Sequence, residues 1–216
     1  MHPHAHHAGR PDGLAARLRA ATAAGHQAVE GSPLMQRIFT GTIGRADYAA
    51  YLAALAPAYE ALETALERQL PDGPLAQLAL AVPPRLPGLL ADLRFLGAPP
   101  ARGGRMAERI AGLMGSRVHR LAAWAWARYG GDLAGGQILA GVLGPALGLA
   151  PDRGLAFYGL PAGRGPGALR AALREAIDGL ALGAGQHEEL EDEAVIAFGL
   201  HEALFAELDG RRPGDG

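Results

Sequence analysis

The chain has 216 residues, a formal net charge of −2 and no cysteine. Disulfides, thiolate metal sites and cysteine nucleophiles are excluded, and the overall charge draws it toward neither nucleic acid nor an acidic membrane. A hydrophobic fraction of 49% suffices for one ordinary core, while 6% aromatic residues and no run of strict apolar–polar alternation favour an all-α protein.

In chain order, the opening carries His2, His4, His6 and His7 among Pro and Ala, a disordered His-rich tail over 1–12 to which no role is assigned. From Gly13 to about Glu30, Leu14, Leu18, Thr22, His26 and Val29 recur at three- and four-residue spacing, which predicts one amphipathic helix with His26 pointing inward. A short helix over Pro33 to Phe39 follows. The long pattern from Arg45 to Leu70 predicts a helix kinked at Pro57. The Pro-rich interval to Pro87 is assigned to a connector, and helices are expected over Leu89 to Leu96 and Arg105 to Met114.

A further helix holds Tyr129-Gly130-Gly131-Asp132-Leu133-Ala134-Gly135-Gly136-Gln137, extends past a bend to Leu143 and is punctuated by Gly144-Pro145. Residues Leu155 to Pro161 form a short strand or an extended linker, and two last helices cover Ala168 to Leu182 and Gln186 to Leu208. With no repeat and short linkers, one domain over 13–209 is expected, followed by a disordered tail at 210–216. No leader and no stretch of about 18 apolar residues is visible, so a cytoplasmic protein that neither spans a membrane nor binds nucleic acid is expected.

Four glycines inside a helix forgo about 4 kcal/mol relative to alanine, so this segment needs bare backbone. Gly131 and Gly135 share a face, as do Asp132 and Gly136, leaving one side smooth enough for a flat object with a carboxylate at its border. Arg19 precedes His26 by two turns, about 10 Å of helix rise, and Arg170 and Arg174 form a basic pair suited to carboxylates. An inward imidazole, a flat wall and basic anchors are what a haem requires. A di-iron carboxylate bundle would need Glu-x-x-His pairs. His187-Glu188-Glu189 and His201-Glu202 have the wrong order for that, and are assigned to exposed helix charge and a buried polar residue.

The chain resembles the haem oxygenases, and the soluble bacterial members in particular. The likeness runs from Leu14 to about Leu208 through Leu14–Thr22 leading to His26, Met35, Tyr59–Glu63, Arg128-Tyr129, Gly131-Asp132-Leu133, Gly135-Gly136-Gln137, Leu155–Phe157, Ala197-Phe198 and Leu204-Phe205. The resemblance implies an all-α, haem oxygenase-like helical bundle holding haem b between a proximal helix and a kinked Gly-rich distal helix. His26 would be the axial iron ligand, with Glu30 orienting its outer nitrogen. Gly131, Gly135 and Gly136 would form the distal wall, and Asp132 would hold a water on the oxygen-binding side, supported by Tyr59 and Arg128. Arg19, Arg170 and Arg174 would take the propionates, with Met35, Tyr129 and Phe198 also against the haem.

The implied reaction cleaves haem with O2 and external electrons to biliverdin, CO and Fe2+. The electron donor would be a ferredoxin or a flavoprotein reductase, and the purpose iron acquisition or supply of a bilin-binding photoreceptor. The alternative is a non-catalytic haem carrier or sensor on the same fold. Three residues depart from the family pattern: Gly130 replaces a larger apolar residue, Trp126 a tyrosine and His201 a polar amide.

Overall fold

The computed structural model describes residues 13–210. Both expected tails lie outside the described residues, apart from Gly210. Among those described there are ten α-helices and no strand, and no helix is long and apolar enough to cross a membrane.

The expected first helix is two: α1 (Leu14–Ala21) and α2 (Ala23–Gly31), turned at Thr22 (φ −97°, ψ 2°). The buried Thr22 hydroxyl donates to the carbonyl of Leu18 at 2.8 Å, satisfying itself within the bend. The turn puts Arg19 and His26 on different helices, and α2 buries none of its own residues. Next comes α3 (Pro33–Phe39), opened by Ser32, whose hydroxyl accepts from the Met35 amide.

Helix α4 (Arg45–Glu67) runs through Pro57. A proline lacks the N–H that would bond the carbonyl four residues earlier. That carbonyl, on Ala53, instead accepts from the Ala101 amide at 3.0 Å, tying the loop before α7 to α4.

The expected connector contains a helix, α5 (Ala76–Ala81), whose Leu78 is fully buried along with Leu75 just before it. It is one and a half turns long, too short for its periodicity to stand out among flanking prolines. Helix α6 (Leu86–Leu96) begins three residues earlier than expected, and α7 (Arg105–Ala111) ends three earlier.

Helix α8 (Leu121–Leu147) passes Gly144-Pro145 without ending and stops at Gly148, whose φ of +63° suits glycine. Pro145 falls in its last turn, where the missing N–H removes the intrahelical bond to the Gly141 carbonyl without ending the helix. Trp124, Tyr129 and three alanines at 122, 123 and 125 are fully buried in its first half, so this half lies in the centre of the molecule. Helices α9 (Pro166–Asp178) and α10 (Ala184–Asp209) complete the chain, with α10 packed on α1, α2 and α8.

Leu155 to Pro161 is neither strand nor extended. It contains a 3-10 turn at Ala156–Tyr158, because the buried Asp92 carboxylate accepts the amides of Ala156 and Phe157, each at 2.8 Å. The turn presses Phe157 against Tyr59, with ring centroids 5.4 Å apart.

Candidate functional site

Helices α1, α2, α8, α9 and α10 enclose a cavity of about 680 Å³, within the range of ordinary ligand pockets. His26 stands on one wall and Gly130, Gly131 and Ala134 on another. His26 is half exposed, and it faces this open cavity instead of a packed interior.

Glu30 Oε2 lies 3.4 Å from His26 Nδ1, one turn along α2, so the carboxylate addresses the outer nitrogen. The Phe198 ring of α10 flanks the imidazole at 6.0 Å. Gly25 makes that approach possible: a Cβ there would meet the Phe198 Cβ at 2.7 Å. Its placement beside His26 was the available sequence signal, but only the packing of α10 reveals its purpose.

Across the cavity, an added Cβ at Gly130 or Gly131 would meet nothing within 4 Å. These glycines are not required by helix packing, and their bareness belongs to the cavity. Gly135 has open space too but does not line the cavity, and Gly136 lies against Tyr158, whose ring a Cβ would meet at 3.2 Å.

Behind this wall α4 and α8 bring three polar side chains together. The Tyr59 hydroxyl donates to Asp132 Oδ2, while Arg128 donates to the Tyr59 oxygen from Nε at 3.1 Å and from Nη2 at 2.8 Å. Arg128 Nη2 also lies 3.4 Å from Asp132 Oδ1, one turn along α8. Burial, then the Asp132 charge and its hydrogen bond, push the Tyr59 phenol well above its usual range, so it stays a donor. Burial opposes the Arg128 charge, but Tyr59 and Asp132 outweigh it and hold the guanidinium protonated.

At the rim, Arg19, Arg170 and Arg174 line the cavity and are exposed. None of the three has an ion-pair partner among the described residues.

Residues 12–207 match the family described as "Heme oxygenase". The chain belongs to the haem oxygenase family. It is 30% identical to the haem oxygenase of Leptospira interrogans, with a TM-score of 0.82 over 90% of this chain and 99% of that one. A structure of haem oxygenase-1 from Synechocystis sp. PCC6803 in complex with heme is 26% identical, with a TM-score of 0.84 over 92% of this chain and 93% of that one. The Nostoc protein "Heme oxygenase 1" is 28% identical over 206 residues, covering 91% of this chain and 86% of the relative.

Of the residues expected from the haem oxygenase resemblance, the fold brings His26, Arg19, Gly131, Arg170, Arg174 and Phe198 to the cavity. Tyr59, Arg128 and Asp132 form the cluster behind its wall. Met35 is buried in the core and does not line the cavity, and Tyr129 is fully buried with its hydroxyl donating to Glu63 at 3.3 Å. Trp126 and Gly130, two of the departures from the haem oxygenase pattern, both line the cavity.

Proposed function

We propose that this haem oxygenase family member degrades haem in the cavity between α2 and α8, yielding biliverdin, CO and Fe2+ from haem, O2 and external electrons. The observation that carries this is a single cavity joining an imidazole, a bare helix face and three arginines without ion-pair partners among the described residues. Haem is the substrate, and when bound it supplies both the iron that engages O2 and the ring that is opened.

His26 presents Nε2 to the iron as a neutral imidazole, with Nδ1 directed by Glu30. Among the described residues no group of three or more His, Asp or Glu is arranged to hold a metal. A lone histidine suits a metal whose other ligands come with a macrocycle.

Gly130, Gly131 and Ala134 let the ring approach backbone, and Arg19, Arg170 and Arg174 take its two carboxylates by charge-assisted hydrogen bonds. Asp132, aimed by Tyr59 and Arg128, accepts a hydrogen bond from water at the edge of the wall and helps relay protons to the oxygen side. A carrier or sensor would have no use for this buried network, whose assembly costs desolvation of a guanidinium and a carboxylate.

The domain is placed at 13–209 and its work in the cytoplasm of a bacterium. A ferredoxin or a flavoprotein reductase supplies electrons, and the reaction serves iron acquisition or the supply of biliverdin to a bilin-binding photoreceptor.

One equivalent of hemin, followed by absorption through addition of an electron donor in air, tests the reading. A histidine-ligated Soret band that decays with release of CO and biliverdin is expected. A stable Soret band under proven reduction would instead make the protein a carrier. In His26→Ala, haem cleavage should be lost and partly restored by added imidazole; cleavage at the wild-type rate without imidazole would remove His26 from the iron.

A further inference from the structure

All five tyrosines of the chain are buried, and haem cleavage as set out above gives Tyr129 no task. The rings of Tyr59 on α4 and Tyr129 on α8 meet edge to face, with centroids 6.2 Å apart. Among the described residues only these two tyrosines place a phenol on a carboxylate, Tyr59 on Asp132 and Tyr129 on Glu63 Oε1 at 3.3 Å. Tyr48 donates instead to the Gly154 carbonyl, which takes up no proton at ordinary pH. Tyr59 is the nearer of the pair to the cavity, since its partner Asp132 directly follows Gly131, which lines it.

The two phenols differ in the charge that faces them. The Arg128 guanidinium lies over the Tyr59 ring, 4.9 Å from its centroid, and donates to its oxygen at 3.1 and 2.8 Å. A cation held against a ring makes an electron harder to remove, because the attraction is lost as the ring turns positive. No guanidinium lies over Tyr129 among the described residues, and its oxygen faces a carboxylate. That carboxylate also accepts the amides of Arg85 at 2.6 Å and Leu86 at 3.0 Å. Burial raises the Glu63 carboxyl above its usual range against those bonds, which makes it a readier base. An electron is therefore lost more easily from Tyr129 than from Tyr59.

We propose that Tyr129 is a redox-active residue, a sink reached through Tyr59 for the electron hole that a peroxide leaves on bound haem. A peroxide takes two electrons as its O–O bond breaks, one from the iron and one from the porphyrin. Tyr59 passes an electron to the porphyrin and regains one from Tyr129 across the ring contact. As Tyr129 gives up that electron, its phenolic O–H bond breaks and the proton moves along the hydrogen bond to Glu63 Oε1. A neutral phenoxyl and a neutral carboxyl then stand where a phenol and a carboxylate stood. One electron from the external donor and return of the proton restore the pair. The hole thus waits on a residue outside the cavity instead of damaging the porphyrin. The inference rests on haem occupying the cavity, as proposed above.

Electron paramagnetic resonance tests it apart from turnover, on the full-length protein with one equivalent of hemin, frozen within seconds of adding m-chloroperbenzoic acid. This peracid is a two-electron oxidant of the same class. A tyrosyl signal is expected that narrows when ring-deuterated tyrosine is incorporated and disappears in Tyr129→Phe, where the Soret band should also bleach faster. Glu63→Gln keeps an acceptor oxygen for the two amides but takes up no proton, so it should suppress the signal with Tyr129 still present. That variant decides if Tyr129→Phe does not fold. A signal blind to tyrosine deuteration would put the hole on a residue such as Trp126, which lines the cavity, and one unchanged in Tyr129→Phe would put it on another tyrosine. Either result overturns the proposal, as does the absence of a radical from wild-type protein with hemin bound. A wild type that binds no hemin through histidine would instead refute the haem reading itself.

Discussion

A methyl group at Gly131 would touch nothing within 4 Å, whereas one at Gly25 would lie 2.7 Å from the Phe198 Cβ. Both glycines are helical, but Gly131 lines the cavity whereas Gly25 packs on Phe198, so the same substitution should act with opposite sign on the haem-free protein. Gly131→Ala restricts the unfolded chain without a clash and should stabilise the haem-free protein by roughly 1 kcal/mol, raising Tm by about 2–4 °C. It should also weaken hemin binding, since the methyl occupies the wall. Gly25→Ala overpacks α2 against α10 and should cost about 1–3 kcal/mol. Thermal unfolding of both variants, with hemin titrations, checks this; a Gly131→Ala protein less stable than wild type would mean the glycine serves helix packing. The sequence points to Gly131 because a cluster of glycines in a helix needs a reason. Gly25 stands alone, and its reason is a residue on another helix 173 positions away, which no local pattern encodes.

Helices α7, α8 and α10 are joined by one buried carboxylate. Glu193 is wholly inaccessible and accepts from Arg109 Nε at 2.9 Å, Arg109 Nη2 at 2.5 Å and the Trp124 indole at 3.0 Å. Glu193→Ala strands a guanidinium and an indole N–H together, so a loss of about 3 kcal/mol is expected. Arg109 is a third exposed and can partly rehydrate, which keeps the loss at the lower end. Adding Arg109→Ala should destabilise less than the sum of the two single changes. Urea midpoints at unchanged m would show this, and strict additivity would mean that the pair does not interact. Glutamates on α10 recur in the sequence as charge suited to an exposed face, and nothing local separates Glu193 from Glu188. Apolar spacing made the long helices legible. It missed α5, which is too short to show a period, and it overvalued Pro145 as a stop, since α8 runs through that residue to Leu147.

Across the whole molecule, the buried His201 couples folding to pH. Its folded pKa of about 3 lies below the ordinary 6.5, so between those values the unfolded chain binds a proton that the folded chain refuses. Its contribution is therefore complete above pH 6.5 and lost as pH falls toward 3, by about 1.4 kcal/mol per pH unit well inside the window. Glu63 and Asp92 act in the opposite sense: burial raises both against the hydrogen bonds they accept, so the folded chain holds their protons more readily. Their effect begins nearer the carboxylate range, leaving His201 to dominate just below neutrality. Urea unfolding of the haem-free protein at pH 7, 6 and 5 should show falling stability, and His201→Gln should flatten that slope whatever it does to stability at pH 7. An unchanged slope would mean that His201 titrates alike folded and unfolded, and that water reaches its ring from the bulk.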